Sequence, residues 1–313
     1  AGSPVGHPTR RVLPNKPMQS FMSHTRAVWL MVVVTLLWSM AGVVTRHLEA
    51  ARSFEVTFWR SFFNVLALAI GLTALRGPAV WRAIVRAPKA VWISGACWCV
   101  QFTAFMLALT LTSVANVLIT MALGPLITAL FVRVALGQRL PLRTWGAIVV
   151  AGIGIGWMYG QQLSAGVSIV GTAVAIGVPI AAAINFTVLQ HVGFAADRTA
   201  AAPAQDMLPA VLIGAALSAL VVLPLAYPFQ ASAHDLGLLA LLGSVQLAIP
   251  CLLMVMLARV LPAPEVSLLA LLEVVFGVTW AWLGAGEEPS LSTLIGGLLV
   301  LGALVVNELL GWR

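Results

Sequence analysis

The sequence predicts an all-α integral membrane protein, with ten transmembrane helices arranged as two inverted five-helix repeats. The first observation is composition, because the 313 residues are 61% hydrophobic and only 9% charged. A soluble domain carries about 25% charged residues, so too few charges remain here to cover a surface facing water. The second is length, since the chain supplies about ten apolar runs that each approach the ~20 residues of a membrane span. The third is an internal duplication.

The duplication links two stretches, Leu118 to Leu142 and Ser267 to Leu291. Each runs from an apolar helix through a Gly-polar turn into another apolar helix, and Gly124 of the first occupies the position of Glu273 in the second. Because five is an odd number, two five-helix repeats insert into the membrane in opposite senses. Inverted repeats are typical of secondary transporters, whose site lies near the bilayer midplane between the repeats.

The predicted helices are apolar runs bounded by Gly, Pro or polar turn residues. In chain order they are Ala27–Val44, Phe54–Ala74, Val91–Thr110, Val114–Leu136, Thr144–Tyr159, Val167–Leu189, Leu208–Tyr227, Leu236–Ala258, Glu265–Gly284 and Leu291–Leu310. Residues 1–26 are expected to form a disordered cytoplasmic tail. Residues 27–160 and 161–313 are expected to be the two repeats of one transport domain. The longest predicted loop, Gly193 to Asp206, lies near the middle of the chain and is expected to be the linker between the two five-helix halves.

The distribution of Lys and Arg predicts that both termini are cytoplasmic. In that orientation the inside collects fourteen of the 17 basic residues, and the outside keeps Arg46, Arg52 and Arg60. The net charge of +7 then reflects cytoplasmic loops, whereas in a soluble protein it would indicate a nucleic-acid partner. We therefore expect membrane lipid and no nucleic acid around the chain.

Motifs for other classes of function are missing from the sequence. Cys97, Cys99 and Cys251 all fall within apolar segments, without the spacing of a disulfide framework or a metal site. No Walker loop, dinucleotide fingerprint or HExxH motif occurs, so neither a cofactor nor a metal is expected. An enzyme is not expected either. A lipid-modifying membrane enzyme would need a catalytic cluster near the interface, and a non-transporting scaffold would leave an intramembrane carboxylate unexplained.

Two charged residues within apolar runs are candidates for function, because an ionisable group at membrane depth usually faces a cavity or a partner. Glu273 lies about two turns into the ninth helix. It would bind substrate, carry a proton, or accept structural hydrogen bonds from neighbouring helices. Phe276 and Trp280 share its face. Arg60, near the outer end of the second helix, would bind a substrate carboxylate, snorkel to the headgroups or pair with Glu55.

A polar-aromatic stripe on the third helix predicts a cavity wall. Its spacing of i, i+3, i+4 and i+7 puts Trp98, Gln101, Phe102 and Phe105 on one face. Other polar or aromatic residues within apolar runs would line the same cavity or join helices by hydrogen bonds worth about 1 kcal/mol. Candidates for substrate binding are Glu273, Trp98, Gln101, Phe102, Trp280, Phe276, Trp38, Asn64, Asn185, Gln246 and Thr120. Candidates for coupling or gating are Glu273, Arg60, Pro125 and Pro250, the prolines because they bend helices.

Three segments resemble EamA-type members of the drug/metabolite transporter superfamily. They are LLWSMAGVVTRH (Leu36 to His47), GQRLPLRTW (Gly137 to Trp145) after the GP pair of the fourth helix, and LLEVVF followed by GEEPSLSTLIGG (Gly286 to Gly297). The resemblance covers the chain from about Ala27 to Trp312, and its details are closest to the YddG-type amino-acid exporters. Gln138 and Val274 depart from the family pattern, which often has Glu and Pro at these positions.

The resemblance implies a ten-helix basket in which helices one to four and six to nine surround a central cavity, with helices five and ten as braces outside. It also implies a multi-pass protein of the bacterial inner membrane. Such a protein would export amino acids, aromatic and other neutral ones, and related small metabolites by alternating access. The alternative is proton-coupled efflux of drugs or organic cations, with Glu273 exchanging a proton for substrate. Nucleotide sugars are disfavoured, because diphosphates call for several basic residues in the cavity.

Overall fold

The computed structural model describes residues 22–45, 47–51, 53–111, 117, 120–159, 168–198, 205–285 and 291–311, so nearly all of the predicted tail lies outside it. All regular structure in these ranges is helical. The helices are α1 (His24–Thr45), α2 (Ser53–Arg76), α3 (Ala79–Val85), α4 (Lys89–Leu111), α5 (Gly124–Leu136), α6 (Leu142–Tyr159), α7 (Ile169–Arg198), α8 (Pro209–Ala226), α9 (Ala233–Leu241), a π-helical segment (Leu242–Ala248), α10 (Ile249–Leu257), α11 (Ala263–Ala270), α12 (Leu272–Ala285) and α13 (Leu291–Gly311).

Seven helical stretches in the described part are long and apolar enough to cross a membrane. They are His24–Thr45, Phe54–Arg76, Lys89–Ala108, Ile169–Gly193, Pro209–Ala226, Ala233–Leu257 and Ala263–Gly284. Three shorter apolar helices, Gly124–Leu136, Leu142–Trp157 and Leu294–Asn307, fall where the fourth, fifth and tenth spans are predicted. The protein is therefore a multi-pass membrane protein, while the count of ten spans stays a prediction.

The predicted fourth helix, Val114–Leu136, is interrupted in its middle, and most of its first part lies outside the described residues. A turn in which Leu123 N donates to the Thr120 carbonyl at 3.2 Å precedes α5. Pro125 is the second residue of α5. Since proline has no N–H, it cannot bond to the Met121 carbonyl, and its ring clashes there. The proline therefore marks where the helix restarts.

The predicted ninth helix is broken at Leu271, between α11 and α12. Leu271 N donates to the Leu268 carbonyl and Val274 N donates to the Leu271 carbonyl, both at 3.1 Å. These three-residue steps tighten the chain into a turn. The break precedes Glu273 as the turn in the other repeat precedes Gly124, which are the paired positions of the duplicated stretches. Glu273 thus lies in the first turn of α12.

The predicted eighth helix, Leu236–Ala258, is observed at Ala233–Leu257 with a π-helical segment in its centre. This segment ends two residues before Pro250. The ring of Pro250 would clash with the Gln246 carbonyl in an ordinary α-helix. The wider π-helical turn makes room for the ring, and such turns are frequent at functional sites.

Two expectations about the connections are wrong. The short helix α3 follows the Gly77-Pro78 turn, where the sequence predicted only a loop; the Trp81 indole of α3 donates to Thr73 Oγ1 at 3.2 Å. The sixth helix was predicted to end at Leu189, where its apolar run ends, but it continues to Arg198. Part of the predicted linker is therefore helical.

Helices from the two halves alternate around the bundle. Going round the ring, α1 packs on the π-helical segment and α10, the π-helical segment on α2, α2 on α8, and α8 on α4. Further round, α4 packs on α7, α7 on α5, α5 on α11, and the α11–α12 pair on α1 again. Helices α6 and α13 pack chiefly on each other. Exchanging the two halves leaves this set of neighbours unchanged, as a two-fold repeat requires.

At one end of the bundle, called here the first end, polar contacts join helix ends and connections in pairs. His24 Nε2 lies 2.7 Å from Glu265 Oε1 at the start of α11. Arg76 at the end of α2 pairs with Asp206 before α8 at 2.6 Å. On α7, eight residues before the helix ends at Arg198, the Gln190 amide donates to Gln138 Oε1 at 3.0 Å and accepts from the backbone N–H of residue 263 at 2.9 Å.

At the opposite end, called the second end, two carboxylates hold two loops in a reciprocal way. Asp235 at the start of α9 accepts the backbone N–H groups of residues 49, 50 and 51 at 2.8 to 3.0 Å. Glu55 at the start of α2 accepts those of residues 230 and 231 at 2.8 Å. Helix α1 thus starts at the first end, where its counterpart α7 finishes, and the two run in opposite senses.

Candidate functional site

A cavity lies at mid-height of the bundle, between the two repeats. Its volume is about 140 Å³, and every helix of the ring except α8 contributes to its lining. Seven of the residues predicted to bind substrate or to couple transport line it: Trp38, Arg60, Trp98, Gln101, Phe102, Gln246 and Glu273.

Other predicted binding residues lie outside the cavity lining, where they join helices. The Trp280 indole donates to Ser39 Oγ on α1 at 3.0 Å, while Phe276 packs against the main hydrophobic core. Asn185 accepts a hydrogen bond from Ser94 Oγ at 2.6 Å, which ties α7 to α4. Direct contact of these side chains with substrate stays a prediction.

The remaining candidates are buried beside helix breaks or between helices. Thr120 precedes the turn before α5, and Pro125 and Pro250 lie in the first turns of α5 and α10. Asn64 is completely buried on α2, and neither atom of its amide finds a hydrogen-bond partner in the described part of the chain. The gating roles of the two prolines stay predictions.

Aromatic side chains form the apolar wall of the cavity. Trp98 and Phe102 stack with their ring centroids 5.3 Å apart and their planes tilted by 29°. Phe105 completes the stripe of α4, and Trp38 lines the wall from α1. Phe186 of α7 was missed at the level of sequence. Its signal was the spacing of i, i+3 and i+7 that puts it on one helical face with Pro179 and Ala182, both of which also line the cavity.

Arg60 does not reach the headgroups and does not pair with Glu55. Its side chain is only 3% exposed, and Glu55 instead accepts the Trp59 indole and the loop before α9. The Arg60 guanidinium donates through Nη1 to Met106 Sδ at 3.6 Å, a weak acceptor. Its Nε–H has no partner among the described residues. The guanidinium therefore keeps unused donors beside the cavity.

Glu273 is half-buried and forms no hydrogen bond with any described residue. A structural carboxylate would accept hydrogen bonds from neighbouring helices, so that interpretation finds no support here. Arg60 and Glu273 line the same cavity, from α2 and α12 respectively. Within the described part of the chain, these two are the charged side chains of the lining. The cavity therefore holds one positive and one negative group.

Two further polar atoms of the lining have unmet hydrogen-bonding capacity in the described structure. They are the Trp98 indole N–H, a donor, and Gln246 Oε1, an acceptor. Gln246 is held by its amide N–H, which donates to the Trp38 carbonyl at 2.9 Å. Buried polar groups are normally paired, so a donor and an acceptor left open beside a cavity favour a polar cargo that supplies both partners.

Two glycines fix the positions of these side chains by close helix packing. A Cβ on Gly243 would lie 2.5 Å from the Arg60 carbonyl oxygen, so the π-helical segment touches the backbone of α2 at this point. A Cβ on Gly214 of α8 would lie 2.3 Å from Trp98 Cβ. Glycine is required at both positions because any side chain would separate the helices.

Comparisons with known proteins agree with this architecture. The model of the EamA-like transporter family matches the chain twice, at residues 25–160 and 169–308. Residues 161–168 separate the two matches, and the loop from Gly193 to Asp206 lies within the second match. No curated protein matches the chain.

A solved structure, described only as the crystal structure of a protein, matches with a TM-score of 0.72 at 19% sequence identity. The match covers 91% of this chain and 98% of the other. At that identity the likeness shows the fold alone. The two family matches span most of the sequence, so the chain belongs to the EamA-like transporter family, a family of membrane transporters of small molecules.

Proposed function

We propose that this protein is a carrier for neutral α-amino acids, aromatic ones among them, and for related small zwitterionic metabolites. It exports them across the bacterial inner membrane, with both termini in the cytoplasm and ten spans arranged as two inverted repeats. The observation that carries the proposal is the presence of Arg60 and Glu273 in one aromatic cavity.

The two charges match the two charges of an α-amino acid. A guanidinium binds a carboxylate through parallel N–H donors, and Arg60 keeps such donors free of other carboxylates in the described structure. Glu273 offers an unengaged carboxylate to an ammonium group. The indole N–H of Trp98 and Oε1 of Gln246 add one donor and one acceptor. The proposed site therefore satisfies both ends of the cargo.

The aromatic wall accounts for an apolar side chain on that cargo. Trp98, Phe102, Phe105 and Phe186 offer ring faces and edges to a phenyl or indole group, and such aromatic pairs are worth about 0.5–1.5 kcal/mol each. The wall also excludes water from the charged ends, which strengthens their interactions. Neutral amino acids with small side chains fit the same charges but gain less from the wall.

Alternating access is supported by the exchangeable arrangement of the two repeats. In this proposal α1 and α7, and the other paired helices, run in opposite senses. If each repeat adopts the conformation that the other repeat has now, the cavity opens to the opposite side of the membrane. The helix breaks before Gly124 and Glu273 lie at equivalent places beside the cavity, where each would act as a hinge.

Proton-coupled efflux of organic cations is the other candidate, and the unpaired Glu273 carboxylate favours it. Arg60 argues against it, because a guanidinium in the same cavity repels a cationic cargo. The two functions differ in whether Arg60 is needed. A cation transporter works as well or better without that charge.

The test is efflux of radiolabelled phenylalanine and threonine from vesicles that contain the purified protein. Removing one partner of a buried charge pair costs about 2–5 kcal/mol, so Arg60→Gln and Glu273→Gln should each lower phenylalanine affinity by about 30-fold or more. Arg133→Gln and Glu49→Gln, which neutralise exposed side chains away from the cavity, serve as matched controls and should behave as the wild type.

No efflux above protein-free vesicles for either amino acid would refute the proposal. Efflux that survives both cavity variants unchanged would refute the assigned site. A cation that exchanges for protons in the wild type, while phenylalanine does not move, would establish the other candidate instead.

A further inference from the structure

The fixed charges of the cavity add up to zero. Three titratable side chains face it in the described part of the chain: Arg60 from α2, Cys251 from α10 and Glu273 from α12. The polar groups from the other elements, Gln101 of α4 and Gln246 of the π-helical segment among them, do not titrate. A thiol of ordinary acidity is protonated at neutral pH, so one guanidinium balances one carboxylate.

This balance affects the step in which an empty carrier returns. A lone carboxylate at membrane depth is costly to leave ionised, so a carrier with Glu273 alone would have to return with a proton or a cation bound. Arg60 supplies the compensating charge within the same cavity. The empty cavity is then neutral without any added ion.

A zwitterionic cargo leaves the balance unchanged, since it brings one positive and one negative group. Neither the loaded nor the empty cavity carries net charge across the membrane, so the membrane potential does no net work on the cycle. In this mechanism Glu273 stays ionised throughout the cycle, so a proton gradient does no work either. Such a carrier moves cargo down the gradient of the cargo itself.

We propose, resting on the carrier function above, that Arg60 makes this protein an uncoupled carrier of zwitterions and is its determinant against cations. Without Arg60, the Glu273 carboxylate crosses in one direction with a cation bound. It takes up a proton where the cation leaves and releases that proton on the other side. One cation is then exchanged for one proton. Arg60 thus separates a zwitterion uniporter from a proton-coupled cation exchanger built on the same cavity.

The proposal also gives the direction of transport. A carrier that takes no energy from protons or from voltage moves its cargo from the concentrated to the dilute side. Cells accumulate amino acids for protein synthesis, so net movement through an uncoupled carrier is export. The charge balance between Arg60 and Glu273 therefore accounts for export without any further energy source.

The experiment measures uptake of radiolabelled phenylalanine and of phenyltrimethylammonium, a permanently charged cation, into protein-containing vesicles with an acidic or a neutral interior. In the wild type, phenylalanine should reach the same concentration inside as outside in both cases, and the cation should stay out. In Arg60→Gln, an interior more acidic by one pH unit should drive the cation to about tenfold accumulation, the limit of one-for-one exchange. Phenylalanine uptake should fall.

Three variants separate charge from structure. Arg60→Lys keeps the positive charge and should not accumulate the cation. Arg60→Gln combined with Glu273→Gln removes the proton carrier and should lose the accumulation. Arg133→Gln removes an exposed positive charge outside the cavity and should match the wild type. Size-exclusion profiles show that each variant is folded.

The wild type alone tests the uncoupled mechanism, whether or not the variants fold. Accumulation of phenylalanine by the wild type under the pH gradient would overturn the uncoupled mechanism and leave the amino-acid function intact. Absence of phenylalanine flux under every condition would overturn the proposed function together with this inference. An Arg60→Gln variant that moves neither more cation nor any protons would overturn the role of Arg60.

Discussion

Replacing Gly214 by alanine should push α8 away from α4 and displace Trp98, which lines the cavity. The new Cβ would lie 2.3 Å from Trp98 Cβ and 2.8 Å from the Gly95 carbonyl oxygen. Ordinary contact begins at 3.4 Å, so α8 and α4 would have to separate by about 1.1 Å. Neither neighbouring atom is the end of a flexible side chain that turns away, so the whole contact between the two helices has to shift.

The magnitude follows from two opposing effects. Overpacking of this kind costs about 1–3 kcal/mol, whereas alanine in place of glycine inside a helix gains about 1 kcal/mol. The net loss of up to about 2 kcal/mol should lower the melting temperature in detergent by about 2–6 °C. Because Trp98 moves with α4, the initial rate of phenylalanine efflux should fall as well.

The assay compares Gly214→Ala with Gly71→Ala, since a Cβ on Gly71 of α2 meets nothing within 4 Å. The control should keep its efflux rate and its melting temperature, or gain slightly in stability. If both variants show the same melting temperature and the same efflux, the close approach of α8 to α4 does not support the wall, and the reasoning is refuted.

Three further predictions concern the cavity and the second end. A small thiol reagent should modify Cys251 more slowly when phenylalanine is present, while Cys97, outside the cavity lining, is unaffected; mass spectrometry of the labelled peptides would contradict this if protection were equal at both. Asp235→Asn should destabilise the protein by about 1–3 kcal/mol because the carboxylate accepts four backbone N–H groups; a melting temperature no lower than that of Glu49→Gln would count against it. Trp98→Ala should slow efflux of phenylalanine more than that of threonine, by the loss of about 0.5–1.5 kcal/mol of aromatic contact; an equal loss for both would show that the ring does not touch the cargo.

The sequence was enough to predict a membrane protein and the face of α4 that lines the cavity. Composition alone requires lipid as the solvent, and the spacing of Trp98, Gln101, Phe102 and Phe105 fixes one helical face whatever the neighbours are. All four residues line the cavity. Local periodicity carries this information because these side chains lie on one uninterrupted helix.

Isolated polar residues could not be placed in the same way. A single Asn or Trp in an apolar run does not reveal which neighbouring helix it faces, so the hydrogen bond from Trp280 to Ser39 could not be predicted. Arg60 does not pair with Glu55 because the Glu55 carboxylate accepts a backbone N–H from a loop 175 residues further along the chain. No proline lies next to the break at Leu271, so the break could not be predicted from the sequence and is seen only in the structure.

The central claim is that Arg60 and Glu273 together recognise a zwitterion. The most direct test is competition for wild-type phenylalanine binding by phenethylamine and by 3-phenylpropionate, each of which keeps the ring and lacks one charge. Phenylalanine should bind more tightly than either analogue by about 2–5 kcal/mol, which is about 30-fold or more. Equal competition by phenethylamine and phenylalanine would show that Arg60 binds no carboxylate and would contradict the account.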